Sequence, residues 1–480
     1  MLKNLLLTFV VLHGFASFSQ ELVIATPLAL KKNRDVFQTV NNGNKQVTLF
    51  VSDKIKVTAI QLNEKMNIVD SISTERPNPK TYTNMIGYNF SNGNTRLFWS
   101  SNDFDEMFTQ LYDFTNRKVE TRQHTLVFKD EKVLQKFSKN EKFYILTVVK
   151  KTNTLKFHIF DKDGKYEEKN IDLSNFHFYT SQYAKTTLYG MFGVNLLPFE
   201  APFTLQSINV ENPTSLTDAA KKRKCYFNDK QLIITFDTNV AFTQVVIVDL
   251  VNFTAEEKIV NKPAIAKAEF DRLNSNSFYF ENKLYQMKSA SDLIYFTIKD
   301  LNDNIIKEYF ADDTKPLDFK NSDIYQEGGD FGGGKRVLEN TSQFIRKVNN
   351  LNSGLTCYSI GKNTLIAFGG VSAVQQSAGQ AALGQFGFIG ALVSAIAFNP
   401  TMESFNSYSN RKVVKVEGLF DKDANHLEGD LQPLAFDKIR TFFDKNNNVS
   451  SQTLFKMNST YYLGYYDNKT SEYTIRKFTD

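Results

Sequence analysis

Four histidines follow residue 20, His124, His158, His177 and His426, and no two stand within four positions of each other, so none forms the spaced pair that a helix-borne zinc site needs. His158 alternates between Phe157 and Ile159 and reads as an outward-facing strand residue. Asp161-Lys162-Asp163-Gly164 and Asp421-Lys422-Asp423-Ala424-Asn425 begin like calcium loops, but neither has a glutamate at the twelfth position, and both read first as hairpin turns. Gly329 and Gly334-Lys335 have the spacing of a phosphate-binding loop. Arg336, however, stands where a Ser or Thr must reach the metal, so the glycine-rich run reads as a connector. A Gly-x-Ser-x-Gly elbow is absent. The chain is therefore expected to be non-enzymatic, with no catalytic group, no metal and no cofactor.

Charge narrows the partners. The 57 basic and 52 acidic residues are interspersed, and the resulting +5 is too mild to argue for nucleic acid. The run Lys221-Lys222-Arg223-Lys224 reads as a solvated loop. Cys225 and Cys357 precede comparable segments, Leu232-Ile233 and Leu365-Ile366, and read as equivalent buried strand positions in two units; a single disulfide is the alternative.

The elements that must carry these residues are strands. From Asn140 to Leu173 an apolar run, Phe143 to Val149, meets an alternating run, Leu155, Phe157 and Ile159, which ends in a turn at Asp161 to Gly164 before another short strand. The abundance of Phe and Tyr, 43 and 21 against one Trp, suits such β-meanders. Turns recur at Asn63-Glu64-Lys65, Phe114-Thr115-Asn116, Asp161 to Gly164, Asn209 to Pro213, Asp249 to Asn252, Leu301 to Asn304, Asp421 to Asn425 and Asp467 to Lys469. Their usual spacing, about fifty residues, is one four-stranded propeller blade. Polar corners such as Asn42-Gly43-Asn44, Asn92-Gly93-Asn94, Asn228-Asp229-Lys230 and Glu281-Asn282-Lys283 precede buried runs in the same rhythm. The pattern predicts an all-β fold, a β-propeller of seven or eight four-stranded blades, with two β-sandwich domains as the alternative. Leu22-Val23-Ile24-Ala25 could complete the sheet begun by Tyr461 to Tyr466 and Tyr473 to Phe478, which would join the termini.

Residues 1–19 carry Lys3, the apolar stretch Leu5 to Leu12 and small residues at Ala16, Ser17 and Ser19, the pattern of a cleaved signal peptide, so the expected location is the periplasm. Residues 20–480 then form a single propeller domain, with inserted material at 311–355 and 370–410. The second insertion holds the clearest functional signal: from Asn363 to Met402 no residue is charged. Its apolar residues, Phe386, Phe388, Ile389, Leu392, Val393, Ile396 and Phe398, are the expected partner-binding group. Read as a helix, it puts Gly387, Ala391 and Ala395 in a small-residue stripe where another backbone approaches closely. The run falls short of the roughly twenty residues that span a bilayer. Either it packs over its own propeller or it docks into an envelope partner, through which alone the protein would contact a membrane.

The signal sequence ending Phe18-Ser19-Gln20, the abundance of Asn, Lys and Phe, and the turns Phe160-Asp161-Lys162-Asp163-Gly164, Phe420-Asp421-Lys422-Asp423 and Phe443-Asp444-Lys445-Asn446 resemble exported proteins of bacteria that use the type IX secretion system. In outline, a propeller body with one long uncharged loop is similar to the plug subunit that closes the periplasmic mouth of the type IX translocon. That resemblance implies a non-catalytic binding protein and transfers no site residue. The competing class is a periplasmic enzyme or small-ligand binder with its site at the central channel.

Overall fold

A computed structural model describes residues 20–27, 35–52, 55–265, 272–327, 335–372, 399–409 and 413–480. These form seven blade sheets. Blade 1 consists of Asp35–Asn41, Gln46–Ser52, Lys56–Leu62 and Ile68–Glu75, and blade 2 of Asn84–Ser91, Asn94–Ser100, Glu106–Asp113 and Lys118–Thr125. Blade 3 consists of Glu131–Lys139, Lys142–Val149, Thr154–Phe160 and Tyr166–Asp172, and blade 4 of Arg223–Phe227, Gln231–Phe236, Phe242–Asp249 and Thr254–Asn261. Blade 5 consists of Asn274–Phe280, Lys283–Ser289, Leu293–Asp300 and Ile305–Asp312. Blade 6 has Asn352–Ile360, Asn363–Val371 and Val413–Phe420, with its outer edge paired to Ile324–Glu327 at one end and to His426–Leu427 at the other. Blade 7 has Val449–Met457, Thr460–Asp467 and Glu472–Phe478, and its fourth strand is Gln20–Pro27.

The first strand of each blade is innermost and the fourth forms the rim. Second strands such as Gln46–Ser52 and Lys283–Ser289 are buried along nearly their whole length, because both faces are covered by neighbouring blades. Fourth strands such as Ile68–Glu75 and Lys118–Thr125 are largely exposed. Clusters of apolar residues link blades 7 and 1, 1 and 2, 2 and 3, 3 and 4, and 4 through 6. Between blades 6 and 7 two helices, Pro400–Ser409 and Ala435–Lys445, wedge their aromatic faces against Tyr461 and Phe478, and the Tyr358 and Tyr461 hydroxyls meet at 3.3 Å.

The polar corners join the first two strands of their blades. At Asn92-Gly93 and at Glu281-Asn282 both central residues have positive φ, the backbone whose twist matches antiparallel strands. Six of the eight turns read from the sequence lie between third and fourth strands or, in blade 6, ahead of the outer bridge. The other two do not. Asp467 to Lys469 joins the second and third strands of blade 7, and Asn209 to Pro213 lies inside the ring. The closure expected of the termini is present: Leu22 faces Arg476, Ile24 faces Ile475 and Ala25 faces Thr474. Cys225 and Cys357 occupy innermost strands of blades 4 and 6, both buried and both free.

Tyr473, Ile475 and Phe478 are buried in the strand that lies between Thr460–Asp467 and the N-terminal strand. A chain ending at Glu472 loses that strand and leaves Gln20–Pro27 without a partner. Its calorimetric trace should show no cooperative unfolding transition; a melting curve like that of the full chain would refute this account of closure.

Candidate functional site

The ring has an upper mouth, where the innermost strands begin, and the chain itself fills much of the channel below it. Gln206–Ile208 runs parallel to the innermost strand of blade 4, with Ser207 opposite Cys225. The chain turns at Asn209 to Pro213, where the carbonyl of Glu211 accepts hydrogen bonds from Lys456 Nζ at 2.5 Å and Tyr461 Oη at 3.2 Å. It returns through the short helix Leu216–Ala219, whose Ser215 cap hydrogen-bonds to Ser407 Oγ at 2.6 Å. A Cβ on Gly354, in blade 6, would stand 2.9 Å from the Leu216 carbonyl, so this approach requires glycine. What remains at the lower mouth is a hollow of about 500 Å³ lined by Asn42, Glu211, Glu281, Tyr358 and Lys456, among others.

The expected partner-binding residues Phe386, Phe388, Ile389, Leu392, Val393, Ile396 and Phe398 lie outside the described residues, as do residues 1–19 and the glycine-rich run 328–334. Both ends of the uncharged segment 373–398 are nevertheless described. On one side Val371 packs with Leu216, Ala220 and Val413 at the upper mouth. On the other, Asn399 caps the helix Pro400–Ser409 by accepting from Met402 N at 3.0 Å, while its Nδ2 donates to Gln38 Oε1 at 2.9 Å and Thr453 Oγ1 at 3.1 Å. The strands before and after the insertion pair continuously, from Thr364 opposite Phe420 to Val371 opposite Val413. The helix is core: Met402, Phe405 and Tyr408 are buried against Phe436. On the exposed side of the same helix Glu403 is pushed above the usual carboxylate range, first by partial desolvation and then by Asp218, against the pull of Lys221 and Lys136.

The basic run is not a solvated loop. Arg223 is fully buried; its Nε donates to Glu200 Oε1 at 3.0 Å and its Nη1 to the Phe192 carbonyl at 2.7 Å, which fixes the irregular stretch between blades 3 and 4. Lys224 is equally buried and donates to Asp237 Oδ2 at 3.0 Å, and Lys262 reaches Asp237 Oδ1 at the same distance. Burial alone would raise the Asp237 pKa, but Lys262, Lys224 and Lys222 outweigh it and hold the carboxylate ionised. The correction has a physical cause: one carboxylate beyond the next strand, together with Asn276 and Ser277 of the neighbouring blade, satisfies charges that look unpartnered in sequence. A lysine run directly before Cys225-Tyr226 at the head of a strand was the available signal.

His158 is also corrected. It is buried between blades 2 and 3; Nε2 lies 2.7 Å from Glu131 Oε2 and Nδ1 2.7 Å from the Tyr166 hydroxyl. Burial would raise the Glu131 pKa, but hydrogen bonds from His158, Thr147 and Lys156 prevail and bring it to about 2. Asp161 and Asp421 accept backbone N–H groups within their turns, as hairpin residues do. Outside the ring a polar cleft of about 1100 Å³ separates the outer hairpin of blade 6 from helix Ala435–Lys445, with Lys335 Nζ 3.3 Å from the Tyr325 ring centre.

The strand pairing defines the class, a seven-bladed β-propeller whose channel is occupied by its own chain. The sequence matches no family model and no curated relative. Among solved structures, an apocarotenoid oxygenase of Synechocystis aligns with 62% of this chain at 8% identity and a TM-score of 0.28; the match spans 64% of the oxygenase, less than two thirds of its length. The WD40 domain of SCAP from fission yeast aligns over 96% of this chain and 97% of its own, at 10% identity and a TM-score of 0.27. A Bacteroides fragilis protein described as exported aligns over 84% and 96%, at 11% identity and a TM-score of 0.25. At these scores no activity is carried across. No helix among the described residues is long and apolar enough to cross a membrane.

Two measurements check the electrostatics. Asp237→Asn leaves two buried amines without their carboxylate and should cost about 3 to 5 kcal/mol in denaturant unfolding; a loss under about 1 kcal/mol would contradict the pairing. Glu131 titrates at about 2 when folded against 4.5 ordinarily, so its contribution is complete above pH 4.5 and is lost as pH falls toward 2. Glu131→Gln should therefore flatten that part of the acid limb of stability against pH, relative to the parent protein.

Proposed function

We propose that this protein is a non-catalytic binding protein of the bacterial periplasm, a propeller that holds the uncharged segment 373–398 at its upper mouth and docks it into an outer-membrane or other envelope protein. One observation carries the reading: the hairpin of blade 6 is complete without the segment, while both of its ends are fastened beside the channel, at Val371 and at Asn399. A ring built this way is a rigid base for the residues between those two ends. The segment's composition suits an apolar receptor, since a single buried unpaired charge would offset most of what Phe386, Phe388, Ile389, Leu392 and Ile396 contribute, roughly 1.5 to 3 kcal/mol each when fully buried. The resemblance to the type IX plug subunit makes the mouth of that translocon the first partner to try. The channel-site alternative is less well supported, because residues 206–220 take up the space a ligand would need.

The test is a comparison of two variants. Phe388→Asp with Leu392→Asp should abolish co-purification with the envelope partner from solubilised membranes and leave the melting temperature nearly unchanged. Phe405→Ala, which removes a ring packed 5.3 Å from that of Phe436, should instead cost about 3 to 5 kcal/mol of stability. If the Asp pair collapses the fold as well, the segment belongs to the protein's own core and the docking reading fails.

A further inference from the structure

Asp237 anchors a group of amines that it cannot neutralise alone. Both of its oxygens are taken: Oδ1 by Lys262 Nζ and Thr243 Oγ1, Oδ2 by Lys224 Nζ and by Ser277 through N and Oγ. Lys224 spends its three protons on Asp237, the Lys221 carbonyl and Asn276 Oδ1, and Lys262 spends its three on Asp237, the Asn239 carbonyl and Ser275 Oγ. Two further lysines share the place without such partners. Lys222 Nζ donates to the Ser275 carbonyl at 2.5 Å and to nothing else among the described residues. Lys288 sits directly across the strand pair from Ser275, is only 6% exposed, and its amine has no partner among the described residues.

Lys222 and Lys262 thus hydrogen-bond to Ser275, and Lys288 lies opposite it on the paired strand, in the interface of blades 4 and 5 at the upper mouth. Among the described residues two protons of Lys222 and all three of Lys288 have no protein acceptor, and of the two carboxylates that act on Lys222, Asp237 is shared with Lys224 and Lys262 and Glu200 is paired with Arg223. Water reaches the Lys288 amine and Lys222 is half-buried, so hydration serves part of this capacity, but it does little to relieve the repulsion among like charges in a partly desolvated place. Burial and then Lys262 bring the Lys222 pKa down to about 7, and Lys262 likewise lowers that of Lys288 after burial, so the amines act on one another as like charges. A ligand that suits the place brings several oxygen acceptors and negative charge together. Lys222 is partly exposed, which leaves an entry from the mouth.

We propose that the amines of Lys222, Lys262 and Lys288 around Ser275 form a binding site for a small oxyanion of the phosphate class. A tetrahedral dianion offers acceptors to all three amines through charge-assisted hydrogen bonds and removes most of the excess charge. This proposal does not rest on the docking reading.

The experiment is scanning calorimetry of the full chain at pH 7, titrated with inorganic phosphate against chloride at constant ionic strength. The melting temperature should rise saturably with phosphate and not with chloride, as it does for any ligand bound only by the folded state. Lys222→Met and Lys288→Met should each weaken phosphate by about tenfold or more, and in chloride both should melt at or above the parent, since an uncompensated amine has gone. Lys288→Arg, which keeps the charge, should retain the response. The same titration with glycerol phosphate separates two sources of the anion. A matching response places a phosphorylated ligand at an open site, and a response to inorganic phosphate alone places a free ion in a closed one. The proposal is overturned if phosphate raises the melting temperature no more than chloride, or if both Met variants keep the full response. It is equally overturned if Lys288→Met destabilises the protein in chloride, which would mean that the chain already balances this amine.

Discussion

A four-stranded sheet that is apolar on both faces can be stable in water only if something covers each face. In this chain the cover for each blade is the next blade, and the arrangement holds only because the seventh meets the first. Phe455 and Met457 of the last blade pack with Val47, Leu49 and Val51 of the first, and the strand Gln20–Pro27 supplies the edge that the last three strands lack. Everything else in the molecule uses that closed frame. The helices between blades 6 and 7 fill the gap beside the Tyr358–Tyr461 contact, and the segment 206–220 occupies an axis that exists only once the circle is complete.

The repeat was legible because its marks are local. A two-residue corner such as Asn92-Gly93 must adopt positive φ, and few residue types do so cheaply; the third-to-fourth-strand turns repeat an Asp whose carboxylate accepts nearby backbone N–H groups, as at Asp161, Asp249, Asp300 and Asp421. The blade number was ambiguous for a reason of the same kind. Asn209 to Pro213 has the composition of a hairpin turn, and only its parallel neighbour on the channel side shows that it serves as a filling for the axis.

What was illegible depends on partners far apart in sequence. His158 alternates as an outward residue should, yet the face it points from is covered by blade 2, and Glu131 and Tyr166 satisfy its ring. Lys224 and Arg223 look solvated because polarity usually means exposure, but Asp237 and Glu200 lie close enough to take them inside. In both cases a one-dimensional pattern records the charge and not the carboxylate that compensates it. The expected binding residues between Phe386 and Phe398 rest on sequence alone, and what the fold adds is the place of the described residues on either side, Val371 and Asn399.

The shared sheet of blade 7 also sets an order of events. Leu22 and Arg476 are neighbours in space and separated by nearly the whole polypeptide, so their contact lies among the longest-range ones in the fold. A chain that emerges from its N-terminus, from a ribosome or through a translocation pore, carries its first strand unpaired until the last one has appeared. Six blades can take shape in that time, but none of the arc ends is protected. Until the circle is complete, a truncated or stalled chain therefore retains an exposed strand edge, open to pairing with other chains.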